Sequence, residues 1–161
     1  MMRMVALTVL VGVLLCSCGQ AIGQADTPEA LYEAMRKAMI NKDWNAMIDC
    51  VQPSIIQQGE KQAEIQKKEL AKNEVALKQT ADFFGVKPEE FMKMTYREIV
   101  IAQMKKSTTD KDIQEAKDSK ILGKEIDGNT CRFKVQTGER IDFFKVVKEG
   151  NRWYWAGPGG N

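Results

Sequence analysis

The sequence predicts an α+β domain in which N-terminal helices pack on one face of a C-terminal, four-stranded antiparallel sheet. Three observations carry this prediction. Helix-type periodicity fills residues 27–117, and alternation of apolar and polar residues begins after Ser119. Residues 140–156, RIDFFKVVKEGNRWYWA, then form a hairpin signal with a turn at 149–151. Such an apolar ribbon needs a cover, and we expect the helical half to provide it.

The first residues predict export. Arg3 is the only charged residue before Asp26, and residues 4–15 form an apolar run too short for an ordinary transmembrane helix. This is the layout of a signal peptide. We therefore expect the protein in a bacterial cell envelope, held there by a lipid, or in the periplasm or medium.

Two cleavage schemes fit this segment. Residues 15–18 read Leu-Cys-Ser-Cys and resemble the bacterial lipobox, in which Cys18 is lipidated. The signal peptide is then residues 1–17, and residues 18–26 form a tether to a membrane. In the alternative, both cysteines belong to an ordinary signal peptide that ends at Ala25.

Under either scheme only Cys50 and Cys131 remain as thiols. Because exported proteins meet an oxidising compartment, these two residues could form a disulfide between the helical half and the sheet. Closing so long a loop would contribute on the order of 4 kcal/mol in the chain-entropy model. The alternative is that both are small, buried apolar residues that never meet.

Composition excludes several classes of function. The chain contains no histidine, which removes Ser-His-Asp and Cys-His catalysis and imidazole metal ligands. The cysteine spacing fits neither zinc nor redox motifs, and there is no phosphate-binding loop, so no metal or cofactor is expected. Without Arg3 the chain has 23 basic and 22 acidic residues. That balance predicts no strong attraction to nucleic acid or to an anionic membrane.

Capping signals place the first helices. Thr27 is a good N-cap with Pro28 in the first turn, and residues 41–43 break the helix that follows. Asp43 can cap a second, short helix, which Pro53 ends or kinks.

The middle of the chain is helical and highly charged. Residues 54–84 read as one long helix with a thin apolar seam, closed by Gly85. This could be a coiled-coil dimerisation helix, although a surface helix is favoured because the seam is narrow. A deeper helix starts at Pro88, and residues 110–117 form a last weak turn.

Strands follow at short intervals. Residues 121–126 and 131–135 are separated by a tight turn, and a second turn precedes the hairpin. The doubled pairs Phe143-Phe144 and Val146-Val147 blur the alternation, which predicts a β-bulge or burial on both faces. The domain is expected to span residues 27–156, followed by a flexible tail, residues 157–161.

Two segments resemble a known superfamily. They are residues 27–51, TPEALYEAMRKAMINKDWNAMIDCV, and residues 143–155, FFKVVKEGNRWYW. Both are similar to the nuclear-transport-factor-two-like superfamily, which includes ketosteroid isomerase and polyketide cyclase relatives, and in particular to its small exported bacterial members. The resemblance implies a cone-shaped α+β fold. It transfers no catalytic residue, because this fold hosts enzymes and simple binding modules alike.

Aromatic residues supply a candidate binding site. Trp153 and Trp155 project to one side of their strand and, with Trp44 and Phe133, could form the wall of an apolar ligand pocket. The alternative is ordinary core packing. Methionines between residues 35 and 104 could bind copper(I) or form an adaptable face, but their helical spacing favours core filling.

Acid–base candidates in the apolar regions are few. Asp49 is interpreted as lying on the exposed side of its helix, and Asp142 on the outer face of its strand. The tyrosines, Tyr32, Tyr96 and Tyr154, are placed on pocket or core rims.

The function expected from these observations is a non-enzymatic binding or envelope accessory module, exported and lipid-anchored. Its partners would be a membrane and a small apolar ligand or a protein, with no nucleic acid. A homodimer through the long helix or the open sheet face is compatible with this role. The rival is an isomerase- or cyclase-type pocket enzyme that uses an Asp and a Tyr instead of histidine.

Overall fold

Residues 25–158 are described by the structure, a computed structural model. Within them, helices form the first part and strands the second, as an α+β fold requires. No helix in this range is long and apolar enough to cross a membrane. The elements are α1 (Pro28–Ile40), α2 (Trp44–Asp49), α3 (Pro53–Leu70), α4 (Glu74–Phe84), α5 (Pro88–Lys93), α6 (Tyr96–Ser107), α7 (Asp110–Asp118), β1 (Lys120–Asp127), β2 (Thr130–Thr137), β3 (Arg140–Glu149) and β4 (Arg152–Pro158).

The four strands form one antiparallel sheet in the order β1-β2-β3-β4. Each strand joins the next through a two-residue turn, and Gly128, Gly138 and Gly150 occupy those turns with φ of 54°, 61° and 59°. Glycine adopts this left-handed region without the steric cost of a Cβ. The predicted fold class is therefore confirmed, and β3 and β4 form the hairpin expected at residues 140–156.

One face of the sheet carries the core. Cys131, Phe133 and Val135 of β2 are buried, whereas Lys134 between them and Gln136 after them are exposed. Helix α1 covers this inner face, and the cluster that results includes the following buried side chains: Leu31, Tyr32, Met35, Cys50, Cys131, Phe133, Val135, Val146 and Trp153.

A register shift in the hairpin confirms the predicted irregularity. Phe144 lies opposite Pro158, whereas Val146 lies opposite Trp155, so the extra residue belongs to β4 and not to β3. Gly157 within this bulge has a φ of 105°, which favours glycine. Strand β3 therefore keeps a regular alternation through its doubled Phe and Val pairs.

Predicted caps place the helix ends. Thr27 accepts a hydrogen bond from the backbone N–H of Ala30 at 3.1 Å, and Asp43 accepts one from that of Ala46 at 3.0 Å. Gly85 closes α4 in the left-handed conformation, with a φ of 71°.

The prediction of a single long helix over residues 54–84 is wrong. Pro53 lies in the first turn of α3 and does not end α2, and α3 ends at Leu70. Asn73 then accepts a hydrogen bond from the backbone N–H of Ala76 at 3.0 Å and starts α4. A broken rod cannot act as one continuous coiled coil.

The helix expected from Pro88 is also divided. Thr95 and Glu98 form a capping box that starts α6 after a break at Met94. The same arrangement of Thr109 and Asp112 makes α7 a full helix and not the weak turn that was expected.

Helices α3 to α6 form a lobe beside the sheet core. Lys67 is its one buried charged residue within 25–158, and its ammonium group donates to the carbonyl of Met94 and to Glu64 at 3.0 Å. These bonds satisfy a cation that burial would otherwise destabilise. Gly59 allows α3 to approach Tyr96 so closely that a Cβ would lie 2.1 Å from the ring.

Two segments of the N-terminal half pair with the outer edge of β4. The backbone N–H of Trp155 donates to the carbonyl oxygen of Cys50 at 2.8 Å, and the N–H of Gln52 donates to the carbonyl oxygen of Trp155 at 3.0 Å. The N–H of Trp153 donates to the carbonyl oxygen of Ala25 at 3.0 Å. These bonds cover a strand edge that would otherwise be open.

The two faces of the sheet predict opposite effects for two phenylalanines. Phe133 is fully buried on the inner face, so Phe133→Ala should lower the free energy of unfolding by about 3 to 5 kcal/mol. Phe143 is 41% exposed on the outer face, and Phe143→Ala should cost under about 1 kcal/mol. Urea unfolding followed by circular dichroism measures both. If Phe133→Ala does not fold, Phe133→Leu keeps the comparison available, and equal costs at the two positions would contradict the assigned faces.

Candidate functional site

A pocket of about 290 Å³ opens between α1, α7 and the inner face of the sheet. It lies toward the end of the sheet at which β2 turns into β3. Its floor is mainly apolar, and its rim carries charged groups from α1, α7 and β3. The lining residues are Tyr32, Met35, Arg36, Met39, Met47, Asp112, Glu115, Ala116, Ser119, Val135, Thr137, Arg140, Asp142 and Phe144.

Flexible and aromatic side chains form the floor. Met35 and Met39 project from successive turns of α1, and Met47 joins them from α2. The Tyr32 ring packs edge-on against Phe144, with 6.0 Å between the ring centroids. Because methionine is unbranched and polarisable, this floor can adapt to apolar ligands of differing shape.

A chain of hydroxyl groups forms one polar wall. The Tyr32 hydroxyl donates to Ser119 Oγ at 2.7 Å, and Ser119 Oγ donates to the carbonyl of Ala116 at 2.8 Å. Both hydroxyl groups therefore donate their protons to acceptors within the protein. Each hydroxyl oxygen can still accept a hydrogen bond from a ligand.

Arginines at the rim are already engaged. Arg36 donates to the carbonyls of Ala116 and Lys117 at 2.9 and 2.6 Å and pairs with Glu33 at 3.0 Å. These bonds hold the end of α7 against α1. Arg140 pairs with Glu115 at 2.9 Å, which ties β3 to the same helix.

Asp142 lies on the inner side of the sheet, and the outer-face interpretation is therefore wrong. It is directly opposite Val135, and partners in antiparallel strands point to the same face. Its carboxylate is exposed at the pocket mouth and has no ion pair or hydrogen bond within residues 25–158.

Asp112 also lies at the rim, but it is committed to the fold. The Thr109 hydroxyl and backbone N–H both donate to it and hold the pKa of its carboxyl below the ordinary value. Of the three acidic side chains at the rim, Asp142 is thus the one without a partner in the described chain.

The predicted aromatic wall lies in the core and does not line this pocket. Phe133 and Trp153 belong to the buried cluster, and Trp44 is 7% exposed at the start of α2. Trp155 stacks on Phe144 with 6.2 Å between the rings, and its indole Nε1 is buried without a partner. Phe133 and Trp155 contact the pocket residues Tyr32 and Phe144 from the core side, and none of the four predicted residues lines the pocket, which agrees with the core-packing alternative.

Three other acid–base candidates lie outside the pocket. Asp49 is exposed on α2, as expected, and pairs with Arg97 at 2.8 Å. Tyr96 packs on Gly59 within the helical lobe, and Tyr154 lines a groove between β4, α2 and α3. Only Tyr32 and Asp142 of the candidates come together.

Both cysteines are buried free thiols in the same core cluster. Burial, together with the charge of Asp49, raises the pKa of the Cys50 thiol to about 11, and burial also raises that of Cys131. Thiols of this kind are protonated and unreactive at neutral pH. Their pairing stays a prediction.

The remaining candidate sites are those for a metal ion and for a lipid. Among residues 25–158 no group of three or more His, Cys, Asp or Glu side chains is placed to hold a metal ion. Cys18, the predicted signal peptide and most of the tether lie outside the described residues.

Sequence reasoning raised an adaptable methionine face but favoured core filling, and it missed the Ser119 hydroxyl. The spacing of Met35 and Met39, four residues apart on one helix face, was a usable signal for the floor. No comparable signal marks Ser119, because its partner Tyr32 is 87 residues distant in sequence.

Comparison with known proteins identifies no relative, since no family model, curated protein or solved structure matches this chain.

The buried thiol predicts a loss of stability at alkaline pH. Below pH 9 the Cys50 thiol is protonated in both states, but between pH 9 and 11 it ionises only in the unfolded chain. The free energy of unfolding should fall there by about 2 to 3 kcal/mol more in the native sequence than in Cys50→Ala. Denaturant titrations at several pH values measure this difference.

A thiol count in denaturant provides the control. Two reactive thiols are expected from mature, non-reduced protein, and none in the folded state at neutral pH. An absence of reactive thiols after unfolding, together with no greater alkaline loss of stability in the native sequence than in Cys50→Ala, would establish the disulfide instead.

Proposed function

We propose that this protein is an exported, lipid-anchored binding module that holds a small, mostly apolar ligand in the pocket between α1, α7 and the sheet. The observation that carries the proposal is the floor of Met35, Met39, Met47 and Phe144 beneath a polar rim. A pocket with apolar walls and a few polar groups is the usual form of a small-molecule site. The module serves the cell envelope as an accessory and not as an enzyme.

The state of the rim favours binding over catalysis. Proton transfer needs a group whose pKa is tuned by its surroundings, and burial is the usual means. No carboxylate is buried within residues 25–158, and Asp142 is open to water. Arg36 and Arg140 are engaged with α7, so they shape the mouth of the pocket and leave little charge to act on a substrate.

The resemblance to the nuclear-transport-factor-two-like superfamily supports the same role. In that resemblance the helices and the sheet form a cone, and a ligand is held between them. Here the described helices cover one face of the sheet, and the pocket opens between them. This family membership remains part of the proposal.

The rival function is an isomerase- or cyclase-type enzyme. It is favoured by one observation, since Tyr32 and Asp142 line the same pocket. The Tyr32 proton is already donated to Ser119, however, and the Asp142 carboxylate is solvated. Both features weaken the pair as a general acid and base.

Filling the pocket tests the binding role. Ala116→Leu adds apolar volume at the pocket wall, and it should reduce binding of the fluorescent probe 1-anilinonaphthalene-8-sulfonate several-fold. Ala71→Leu makes the same change at an exposed position after α3 and should leave binding unchanged. Fluorescence titration measures both variants. Equal binding by Ala116→Leu and the native protein would contradict a ligand site in this pocket.

Neighbouring cysteines provide a matched test of the anchor. In the expressing bacterium, Cys18→Ser should abolish lipidation and release the protein from the membrane fraction, whereas Cys16→Ser should leave it attached. The mass of the mature N-terminus reports the modification directly. A mature chain that begins at Asp26 in the native protein would rule out the lipid anchor.

A further inference from the structure

The outer face of the sheet over β1 to β3 carries an uneven distribution of charge. Four rows of side chains cross it, and antiparallel pairing fixes their neighbours. Strand neighbours lie about 5 Å apart in such rows. One row, Asp127–Thr130–Val147, carries an acidic residue, and the other three are Glu125–Arg132–Lys145, Gly123–Lys134–Phe143 and Lys120–Gln136–Ile141.

Basic side chains dominate these rows. Lys120, Lys134 and Lys145 are exposed and have no ion pair within residues 25–158. Arg132 lies between Glu125 and Lys145, and its guanidinium group stands 5.1 Å from the centre of the Phe143 ring. The nearby Lys124 does not add to this face, because it points to the helical side and pairs with Glu29 of α1.

Apolar side chains stand among these cations. Ile141 and Phe143 are 50% and 41% exposed, although each has an apolar side chain that water disfavours. Because Gly123 has no side chain, the row that ends at Phe143 contains a shallow groove of about 220 Å³ beside Arg132 and Lys134. The groove is thus lined by Arg132 and Lys134 together with the carboxylate of Glu125, with apolar tips beside it.

We propose that this outer face docks on an anionic phospholipid surface. Lysine and arginine attract the phosphate headgroups, and the tips of Ile141 and Phe143 enter the headgroup region, as interfacial apolar side chains do. The groove beside Arg132 and Lys134 accommodates one headgroup. Asp127 and Glu149 lie at the other end of the face, next to turns, and Glu125 stands beside Arg132. The half that carries Lys120, Lys134 and Lys145 therefore meets the membrane.

The length of the tether fits this orientation. Ala25 is fixed beside β4 through its bond with Trp153, and six residues lie between it and Cys18, so the two Cα atoms are seven steps apart along the chain. A chain of that length reaches at most about 25 Å. A lipid on Cys18 would therefore hold the domain close to the bilayer, where even a weak attraction is sufficient for docking. The inference rests in this respect on the proposed anchor.

Lysine footprinting tests the docking face. The full chain is mixed with phosphatidylcholine vesicles, with or without phosphatidylglycerol, and exposed lysines are acetylated and quantified by mass spectrometry. On anionic vesicles Lys120, Lys134 and Lys145 should react several-fold more slowly, and high salt should reverse this. Lys61 and Lys78, which are exposed on α3 and α4, should react equally on both kinds of vesicle.

Charge reversal supplies a matched pair of variants. Lys134→Glu with Lys145→Glu should abolish the protection of Lys120, whereas Lys61→Glu with Lys78→Glu should preserve it. The positions are exposed, so neither pair disturbs the core.

Several results would overturn the docking proposal. Equal labelling on both vesicles removes the membrane as partner, and equal protection by glycerol phosphate or by RNA in solution assigns the face to those ligands instead. Protection that grows with protein concentration, without vesicles, identifies a second copy of the chain as the occupant. Because vesicles are supplied, an unlipidated Cys18 would refute the anchor through the N-terminal mass and leave the footprint interpretable.

Discussion

The pairing of the N-terminal half with the edge of β4 is the constraint on which the remaining architecture depends. Residues more than 100 positions apart are joined there by backbone hydrogen bonds. Trp155 bonds to Cys50 and Gln52, and Trp153 bonds to Ala25. These hydrogen bonds satisfy backbone groups along the outer edge of β4, and they fix where α1 crosses the sheet. The pocket lies away from this edge, between α1, α7 and the strands β2 and β3 near the turn that joins them.

Local signals in the sequence predict the parts of the fold that local chemistry determines. Thr27, Asp43 and Gly85 cap helices where their side chains or conformation predict it, and glycine turns separate the strands. The break at Asn73 was missed because apolar residues recur every seven positions on both sides of it, so periodicity carries no sign of the interruption. The Asn73 N-cap was the local sign of that break. Contacts such as that of Lys67 with Met94 then join the parts of the lobe, and no local pattern encodes them.

The candidate site was less predictable because it depends on strand phase. Doubled Phe and Val pairs in β3 suggested an irregular strand, and the face assigned to Asp142 was wrong in consequence. The structure places the irregularity in β4 at Gly157, so β3 alternates regularly, with Phe143 outward and Phe144 inward. The buried run on β2, combined with the register that pairs Val135 with Asp142, would have assigned the carboxylate correctly. A register between strands cannot be read from either strand alone.

The net charge of the chain gives no sign of the basic outer face of the sheet, because it sums the charges of all surfaces of the protein. The charge balance of the chain argues against strong attraction to an anionic membrane. Several acidic residues, such as Asp112 and Glu115, are nevertheless used in a cap or an ion pair, while Lys134 and Lys145 on the outer face have no ion pair within residues 25–158. The pocket lies on the inner side of the same sheet. In the proposed orientation, with Phe143 toward the bilayer, the pocket would open away from the membrane. A ligand would then reach it from the aqueous side, with the anchor holding the module in place.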